Sequence, residues 1–334
     1  MAISQAEDPQ APLHTTPALD AAAAPWAAWR SRALLLKAGL LLAVTAATVA
    51  GLVGWAGAGD VRGLILGVGA GHLLAVALLT LCLPLIHAWR LRVVLAATGY
   101  ELSWRRSFRL VMATWPVSSL TPAKSGDLLR AYYLRQQVPP TVTVGGLLAE
   151  RAIDLAVWGT LSLVSSLFFR QPAITLFSAA VLGGVLALLL VLAPRAERLP
   201  LPSRWLNRIE LLLSSAHALA RRPRRFAQLV GLTLLNCLAT ILVTAILFDA
   251  VGARIPFLYT VAALPPTMFA SLLPFTLAGM GTRDSMLILL FGEYAGSAQS
   301  LSVGILYAFF FRWLLSLLGI PFLQQLTKDD PRQT

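Results

Sequence analysis

Residues 64–87 read LILGVGAGHLLAVALLTLCLPLIH, a run without a single Asp, Glu, Lys or Arg. A helix of about 20 apolar residues is long enough to cross the roughly 30 Å hydrocarbon core of a bilayer. Comparable apolar runs recur along the chain from Leu34 to Phe322. Because 57% of the residues are hydrophobic and only 13% are charged, with a mean hydropathy of +0.73, the composition excludes an ordinary water-soluble domain.

The pattern of these runs predicts an all-α polytopic membrane protein with about six full spans. The predicted spans are residues 34–57, 64–87, 142–169, 173–193, 226–250 and 299–322. We expect residues 31–326 to form a single transmembrane domain. A disordered, proline-containing cytoplasmic tail is expected before it, over residues 1–30, and a short cytoplasmic tail after it, over residues 327–334.

Two further apolar segments, residues 108–136 and 256–291, are interrupted by proline and glycine and are predicted to be broken, re-entrant helical hairpins. The two connections richest in arginine, residues 88–109 and 194–225, are expected on the cytoplasmic side. With both termini also in the cytoplasm, the two broken segments must enter the membrane from opposite sides, as inverted repeats do. Matching interrupted segments in two halves of a transporter indicate a binding site near the bilayer midplane.

The net charge of +12 is assigned to membrane topology, because the arginines concentrate in connecting loops, and no nucleic-acid partner is expected. Cys82 and Cys237 lie in apolar runs and indicate neither a disulfide nor a metal site. No HExxH, GxSxG or paired Cys/His motif is present in the sequence. We therefore expect no catalytic residue, no metal and no cofactor.

The long span 142–169 contains three ionisable residues, Glu150, Arg151 and Asp154. A charge at the centre of a membrane helix costs about 2.5–3.5 kcal/mol on insertion scales, so the cluster needs an explanation. At helical spacing Arg151 and Asp154 can pair, which leaves Glu150 available to another cation. One interpretation is an anionic head-group site in which Arg151 binds a phosphate. The alternative is a self-neutralising pair that fixes helix packing or lies close to the hydrated surface.

The two broken segments supply the other candidate residues. In the first, a half-helix is expected to start after Gly126, with an N-terminus that favours an anion; capping by Asp127 is the plainer alternative. In the second, Asp284 is likewise a possible cap. Arg312 lies deep in the last span and is expected to seek a carboxylate such as Asp284, or a lipid phosphate. The candidate substrate-binding residues are thus Lys124, Asp127, Arg130, Glu150, Arg151, Asp154, Arg283, Asp284 and Arg312.

The chain resembles the lysylphosphatidylglycerol synthase transmembrane-region family, also described as flippase-like, over residues 34–322. This family includes the membrane module of the bacterial multiple peptide resistance factor. In that family glutamate is usual where this chain has Asp127 and Asp284, so the two carboxylates here reach less far. The motifs that carry the resemblance are Leu120-Thr121-Pro122 with Gly126-Asp127 and Arg130, Glu150-Arg151 with Asp154, and Leu273-Pro274 with Gly279, Gly281, Arg283 and Asp284.

The resemblance implies translocation of an anionic phospholipid or a polyprenyl-linked lipid across the cytoplasmic (inner) membrane. Full-length resistance factors add a soluble aminoacyl-transfer domain, which we do not expect after residue 322. The expected partners are the membrane lipid, a separately encoded lipid-synthesis enzyme and a second copy of the chain. Two alternatives stay open: a membrane glycosyltransferase-related enzyme that uses a lipid-linked sugar, and a non-transporting scaffold for a lipid-modifying partner.

Overall fold

The structure is a computed structural model that describes residues 32–192, 215–271, 276 and 279–328. Within these ranges it does not describe the side chains of residues 32–38, 41, 122–124 and 188–192. The predicted tail 1–30 lies outside the described residues, as does the larger part of the predicted arginine-rich connection 194–225. Of the predicted tail 327–334, residues 327 and 328 are described and are helical. The chain divides into two units, residues 1–43 and residues 44–334, and all contacts given below lie within the second unit.

The regular structure of the described residues is helical throughout, as predicted. Short stretches of 3₁₀ and π geometry interrupt the α-helices at two places that matter for the site. The elements in chain order are α1 (Arg32–Ala56), α2 (Ala58–Leu66), α3 (Ala70–Ala97), α4 (Trp104–Leu120), a 3₁₀ segment (Pro122–Leu128), α5 (Leu129–Leu134), α6 (Pro140–Phe168), α7 (Pro172–Leu192), α8 (Pro223–Ala250), α9 (Phe257–Ala270), α10 (Thr282–Phe291), α11 (Ser297–Ala308), a π-helical segment (Phe309–Leu314) and α12 (Leu315–Lys328).

Three helices of the described chain are long and apolar enough to cross a bilayer, namely α3, α8 and the continuous helix Ser297–Lys328. A fourth candidate consists of Leu42–Ala56 and Ala58–Leu66, two helices bent by 92° at the break between them. Helices α6 and α7 coincide within a few residues with the predicted spans 142–169 and 173–193. The membrane-protein class is thus supported by these spans, whereas the count of six stays a prediction.

The predicted bounds of span 64–87 are wrong, because the long helix in this region is α3 (Ala70–Ala97). Helix α2 ends at Leu66, where the backbone N–H of Gly67 caps it, and α3 starts only at Ala70. Helix α3 contains no glycine after Gly71 and passes through Pro84; it continues to Ala97 and includes Arg90 and Arg92. These two arginines therefore belong to a helix, and not to the connecting loop in which the sequence analysis counted them.

The first predicted interruption is present but differs in detail. Helix α4 ends at Leu120, Thr121 is extended, and the 3₁₀ segment follows, in which the backbone N–H of Gly126 donates to Thr121 Oγ1 at 2.8 Å. The helix expected to start after Gly126 begins instead at Leu129 and has only six residues. A helix of fewer than two turns has little macrodipole, so the predicted anion site at its N-terminus is not supported.

The second predicted interruption separates α9 from α10. Two glycines after it, Gly279 and Gly281, have positive φ angles of 75° and 102°, which side chains with a Cβ rarely adopt. The chain can therefore turn sharply into α10 at Thr282. Both interruptions thus exist, and their entry from opposite sides of the membrane stays a prediction.

The packing of the long helices brings the interrupted segments together. Helix α12 packs along α4, where Gly319 is so close to the carbonyl of Met112 and the ring of Pro116 that a Cβ would lie 2.8 Å from the proline Cδ. Helix α3 packs on α8, and α6 packs on both α7 and α9. The largest apolar core joins α8, α9 and α11. Two cavities with charged and apolar lining residues remain among these helices.

Candidate functional site

Helix α6 places its arginine between two aspartates. Arg151 forms an ion pair with Asp127 of the first break, and its Nη1 lies 3.5 Å from Asp154 Oδ2, one turn further along the same helix. The predicted pairing of Arg151 with Asp154 is therefore present. It is the weaker of the two contacts, because Asp127 receives a direct hydrogen bond from the guanidinium.

Arg90 is a buried member of the cluster that the sequence analysis missed. Its side chain is 1% exposed, and its Nη2 donates to Asp154 Oδ1 at 2.7 Å. The sequence analysis assigned Arg90 to a cytoplasmic loop because arginines are common there. The absence of glycine and proline between Pro84 and Gly99 was the signal that could have placed it inside α3, which ends at Ala97.

Asp127 is the centre of the first break. Its Oδ1 accepts hydrogen bonds from Ser118 Oγ at 2.7 Å and from Arg130 Nη2 at 3.3 Å, while its other oxygen accepts from Arg151. Gly126 makes this arrangement possible, since a Cβ there would collide with the backbone of Ser118. The side chain of Lys124, another predicted site residue, lies outside the described residues.

At the second break, the side chains of Arg283 and Asp284 form hydrogen bonds with each other and with the backbone. Arg283 Nη2 donates to Asp284 Oδ1 at 2.5 Å and to the carbonyl of Gly304 at 2.6 Å. Asp284 Oδ2 accepts from the backbone N–H of Gly281 at 3.0 Å, so the capping role considered from the sequence is present. Asp284 therefore fixes the start of α10 and forms no ion pair with Arg312, so of the two partners considered for Arg312 the carboxylate of Asp284 does not apply.

Arg312 lies in the π-helical segment. Such insertions are rare and occur frequently at functional sites. The carbonyl of Phe311 in this segment accepts a hydrogen bond from Trp115 Nε1 at 3.0 Å. Arg312 is 8% exposed and forms no hydrogen bond or ion pair with any residue that the structure describes. It is thus a buried guanidinium whose charge has no direct partner in the described part of the chain.

Two adjoining cavities open among these helices and share six lining residues. The small chamber has a volume of about 60 Å³ and the large chamber about 340 Å³. The shared residues are His87, Trp115, Arg151, Tyr307, Phe311 and Arg312. The large chamber is within the size range of ligand-binding cavities in proteins, roughly 300–1,000 Å³.

Most of the predicted site residues line these chambers. Asp127 and Arg130 line the small chamber, Asp154 and Arg283 line the large one, and Arg151 and Arg312 line both. Glu150 and Asp284 are buried, at 6% and 2% exposure, but do not line either wall. Residues from both interrupted segments are therefore brought together, whereas Glu150 and Asp284 do not line the chambers.

Aromatic rings form the remaining wall of the large chamber. The guanidinium carbon of Arg283 lies 4.6 Å from the centre of the Tyr307 ring, and this ring stacks on Phe311 at 4.0 Å. Trp115 and Trp158 line the same space. The chamber thus combines cationic groups with apolar faces. Within the described ranges, no three His, Cys, Asp or Glu residues are grouped as metal ligands.

An all-helical chain with bilayer-length apolar helices and a buried ionic cavity is an integral membrane domain. The sequence profile of the family described as "Lysylphosphatidylglycerol synthase TM region" matches residues 37–319, and the chain belongs to this family. The resemblance noted from individual motifs is thereby confirmed. No curated protein matches the sequence.

Proposed function

We propose that this chain moves an anionic lipid, a phospholipid or a polyprenyl-linked lipid, across the cytoplasmic membrane by way of the two chambers. Membership of a lipid-related membrane family supports the lipid as substrate. The observation that carries the proposal is Arg312, a cation inside the helical bundle without a direct counter-charge among the described residues. A buried charge of this kind is costly in a membrane protein unless a partner neutralises it, and a lipid phosphate is such a partner.

The proposed route includes the predicted topology. Six spans, two interrupted segments that enter from opposite sides and two cytoplasmic termini would make the chambers accessible to each leaflet in turn. The polar head group would enter the chambers while the acyl or prenyl chains stay in the bilayer. The walls suit such a ligand, because they combine arginines with aromatic rings such as Tyr307 and Phe311.

Arg312→Gln is the sharpest test of this function. Because Arg312 forms no ion pair with any residue that the structure describes, the substitution removes its charge without freeing a described carboxylate. A change at Arg151 would instead remove a partner of Asp127 and Asp154. We expect the rate of lipid movement in proteoliposomes to fall by about tenfold or more, since one charged hydrogen bond is worth about 1.5–3 kcal/mol. The assay follows a fluorescent phosphatidylglycerol analogue that dithionite quenches when it reaches the outer leaflet.

Arg62→Gln is the matched control, because Arg62 is exposed and the same charge is lost outside the chambers. Thermal unfolding in detergent checks that both variants fold. Undiminished lipid movement with Arg312→Gln would contradict the proposed route. The scaffold alternative predicts that neither the native chain nor any variant moves lipid. Incorporation of a labelled sugar into a lipid or protein acceptor would instead favour the glycosyltransferase alternative.

A further inference from the structure

Glu150 of α6 is a buried acidic residue that the proposed lipid path does not use. It is 6% exposed and lines neither chamber. Its backbone carbonyl accepts a hydrogen bond of 3.5 Å from Nη2 of Arg90, but its carboxylate forms no hydrogen bond or ion pair with any residue that the structure describes. A buried carboxylate without such a partner is costly, and binding a proton removes its charge.

The charged groups that act on this carboxylate come from three helices. They are Arg90 of α3, Arg130 of α5, and Arg151 and Asp154 of α6 itself. The three arginines favour the charged form of Glu150, whereas burial and the neighbouring aspartate favour the protonated form. The protonation state of Glu150 therefore depends on how much of the arginine charge other anions compensate.

The other elements packed against α6 add no further charge that acts on Glu150 from their described side chains. Helix α7 contains no ionisable residue, and α9 contains only the phenol of Tyr259. Helix α8 carries its charged residues at its two ends, with only the thiol of Cys237 between them. Asp127 of the 3₁₀ segment is held by two arginines, and the side chain of Lys124 is not described.

An anion in the chambers and a proton on Glu150 are linked through shared arginines. Arg130 lines the small chamber and Arg151 lines both, and both arginines also act on Glu150. An anion bound beside them cancels part of their positive potential, so the carboxylate of Glu150 takes up a proton more readily. Because linkage between two binding events is reciprocal, a proton on Glu150 also favours binding of the anion.

The charge balance of the cluster points in the same direction. Four arginines face three carboxylates among the described side chains, namely Arg90, Arg130, Arg151 and Arg312 against Asp127, Asp154 and Glu150. Arg283 and Asp284 neutralise each other. The empty cluster thus has one positive charge in excess, and a bound monoanion together with a proton on Glu150 leaves the same excess. Loading both adds no net charge to the membrane interior, where charge is costly.

We propose that the chain carries a proton together with the anionic lipid, and that Glu150 binds this proton. One O–H bond forms on the carboxylate when the lipid is loaded and breaks when the lipid is released, so no other reactant is needed. Asp154, one turn along α6 in the wall of the large chamber, connects Glu150 to that space. The inference rests on the proposed function and deepens it, because it names a second substrate and the energy source of transport.

Proteoliposomes with different internal pH test the coupling. The external buffer is kept neutral, and the interior is made one pH unit more acid or one unit more alkaline. Outward movement of the fluorescent phosphatidylglycerol analogue should be several-fold faster with the acid interior, because protons then flow outward with the lipid. Nigericin, which collapses the pH gradient, should remove the difference. A potassium diffusion potential should have no comparable effect, since the lipid and the proton together carry no net charge.

Substitutions assign the coupling to one residue. Glu150→Gln keeps the shape of the side chain but cannot take up the proton, so the rate should no longer depend on the gradient. Glu150→Asp keeps a carboxyl group and should keep the dependence. Glu101→Gln is the matched control, because it removes an exposed carboxylate from the connection between α3 and α4 and should behave as the native chain does.

Thermal unfolding checks that each variant folds. A measurement on the native chain tests the linkage without any variant: dihexanoyl phosphatidylglycerol is added to the protein in weakly buffered detergent, and a pH indicator follows the protons. Binding of the lipid, measured by its heat, should be accompanied by proton uptake.

Three results would overturn the inference: equal rates in the two gradients, a gradient dependence that Glu150→Gln retains, or lipid binding without proton uptake. Failure of the proposed function looks different. Lipid movement that ignores the gradient contradicts only the coupling, whereas a native chain that moves no lipid in either gradient contradicts the translocation on which the coupling rests.

Discussion

Replacing Arg90 by methionine removes the nearest cation from Asp154 while keeping most of the side-chain volume. Arg90 is almost fully buried and donates to Asp154 at 2.7 Å, so the change leaves a buried carboxylate without its main partner. Removing one member of a buried ion pair costs about 3–5 kcal/mol. Arg151 still lies 3.5 Å from Asp154 and offsets part of the loss, so we expect the lower end, about 3 kcal/mol.

The assay is reversible unfolding in mixed micelles of dodecyl maltoside and SDS, followed by intrinsic tryptophan fluorescence. A double-mutant cycle with Asp154→Leu separates the interaction from the effects of each substitution. The double variant removes both charges and should recover much of the stability that Arg90→Met loses. The control is Arg105→Met, since Arg105 is exposed at the start of α4. A change in unfolding free energy below about 0.5 kcal/mol for Arg90→Met, the range of ordinary surface substitutions, would refute the reasoning.

Two further predictions concern the supports of the chambers. Gly304→Ala should lower the unfolding free energy by about 1–3 kcal/mol, because its Cβ would overlap the carboxylate of Asp284, whose Cγ is only 2.9 Å from that position. The control is Gly184→Ala in α7, where no atom lies within 4 Å of the new methyl group, and equal stability of the two variants would contradict this packing. Trp115→Phe should cost about 1–3 kcal/mol, because the carbonyl of Phe311 in the π-helical segment loses its indole donor. Unchanged thermal stability of this variant would contradict a stabilising role for the hydrogen bond from Trp115 to this carbonyl.

The interruptions of the two broken segments follow from local chemistry and could be predicted. A break in each segment was predicted correctly, but Pro116 lies inside α4 and Pro265 and Pro266 lie inside α9, so these three prolines, which we expected to interrupt the helices, do not end them. The residue at which the next helix begins depends less on the neighbouring sequence. Gly126 suggested a helix N-terminus, but its close approach to the backbone of Ser118 fixes a 3₁₀ turn there instead. That approach depends on how the chain folds back on α4.

The ionic contacts were harder to predict than the ionic residues. Spacing along one helix indicated Arg151 with Asp154, and this contact exists. The stronger contacts join residues far apart in sequence, such as Arg90 with Asp154 and Arg151 with Asp127. Periodicity within a helix contains no information about which neighbouring helix will face it. For the same reason the sequence could not show that Asp284, one of the two partners considered for Arg312, bonds Arg283 instead.

The sequence by itself determined the membrane class, the presence of an interruption in each of two segments and the presence of charged residues in apolar surroundings. These properties depend on hydrophobicity summed over about 20 residues and on the backbone limits of proline and glycine, which are local. Only the tertiary structure decided which charges are neutralised and which remain open to a ligand. Arg283 is held by Asp284 and Gly304, whereas Arg312 faces both chambers without a described partner, because the packing of helices distant in sequence brings a carboxylate to one arginine and not to the other.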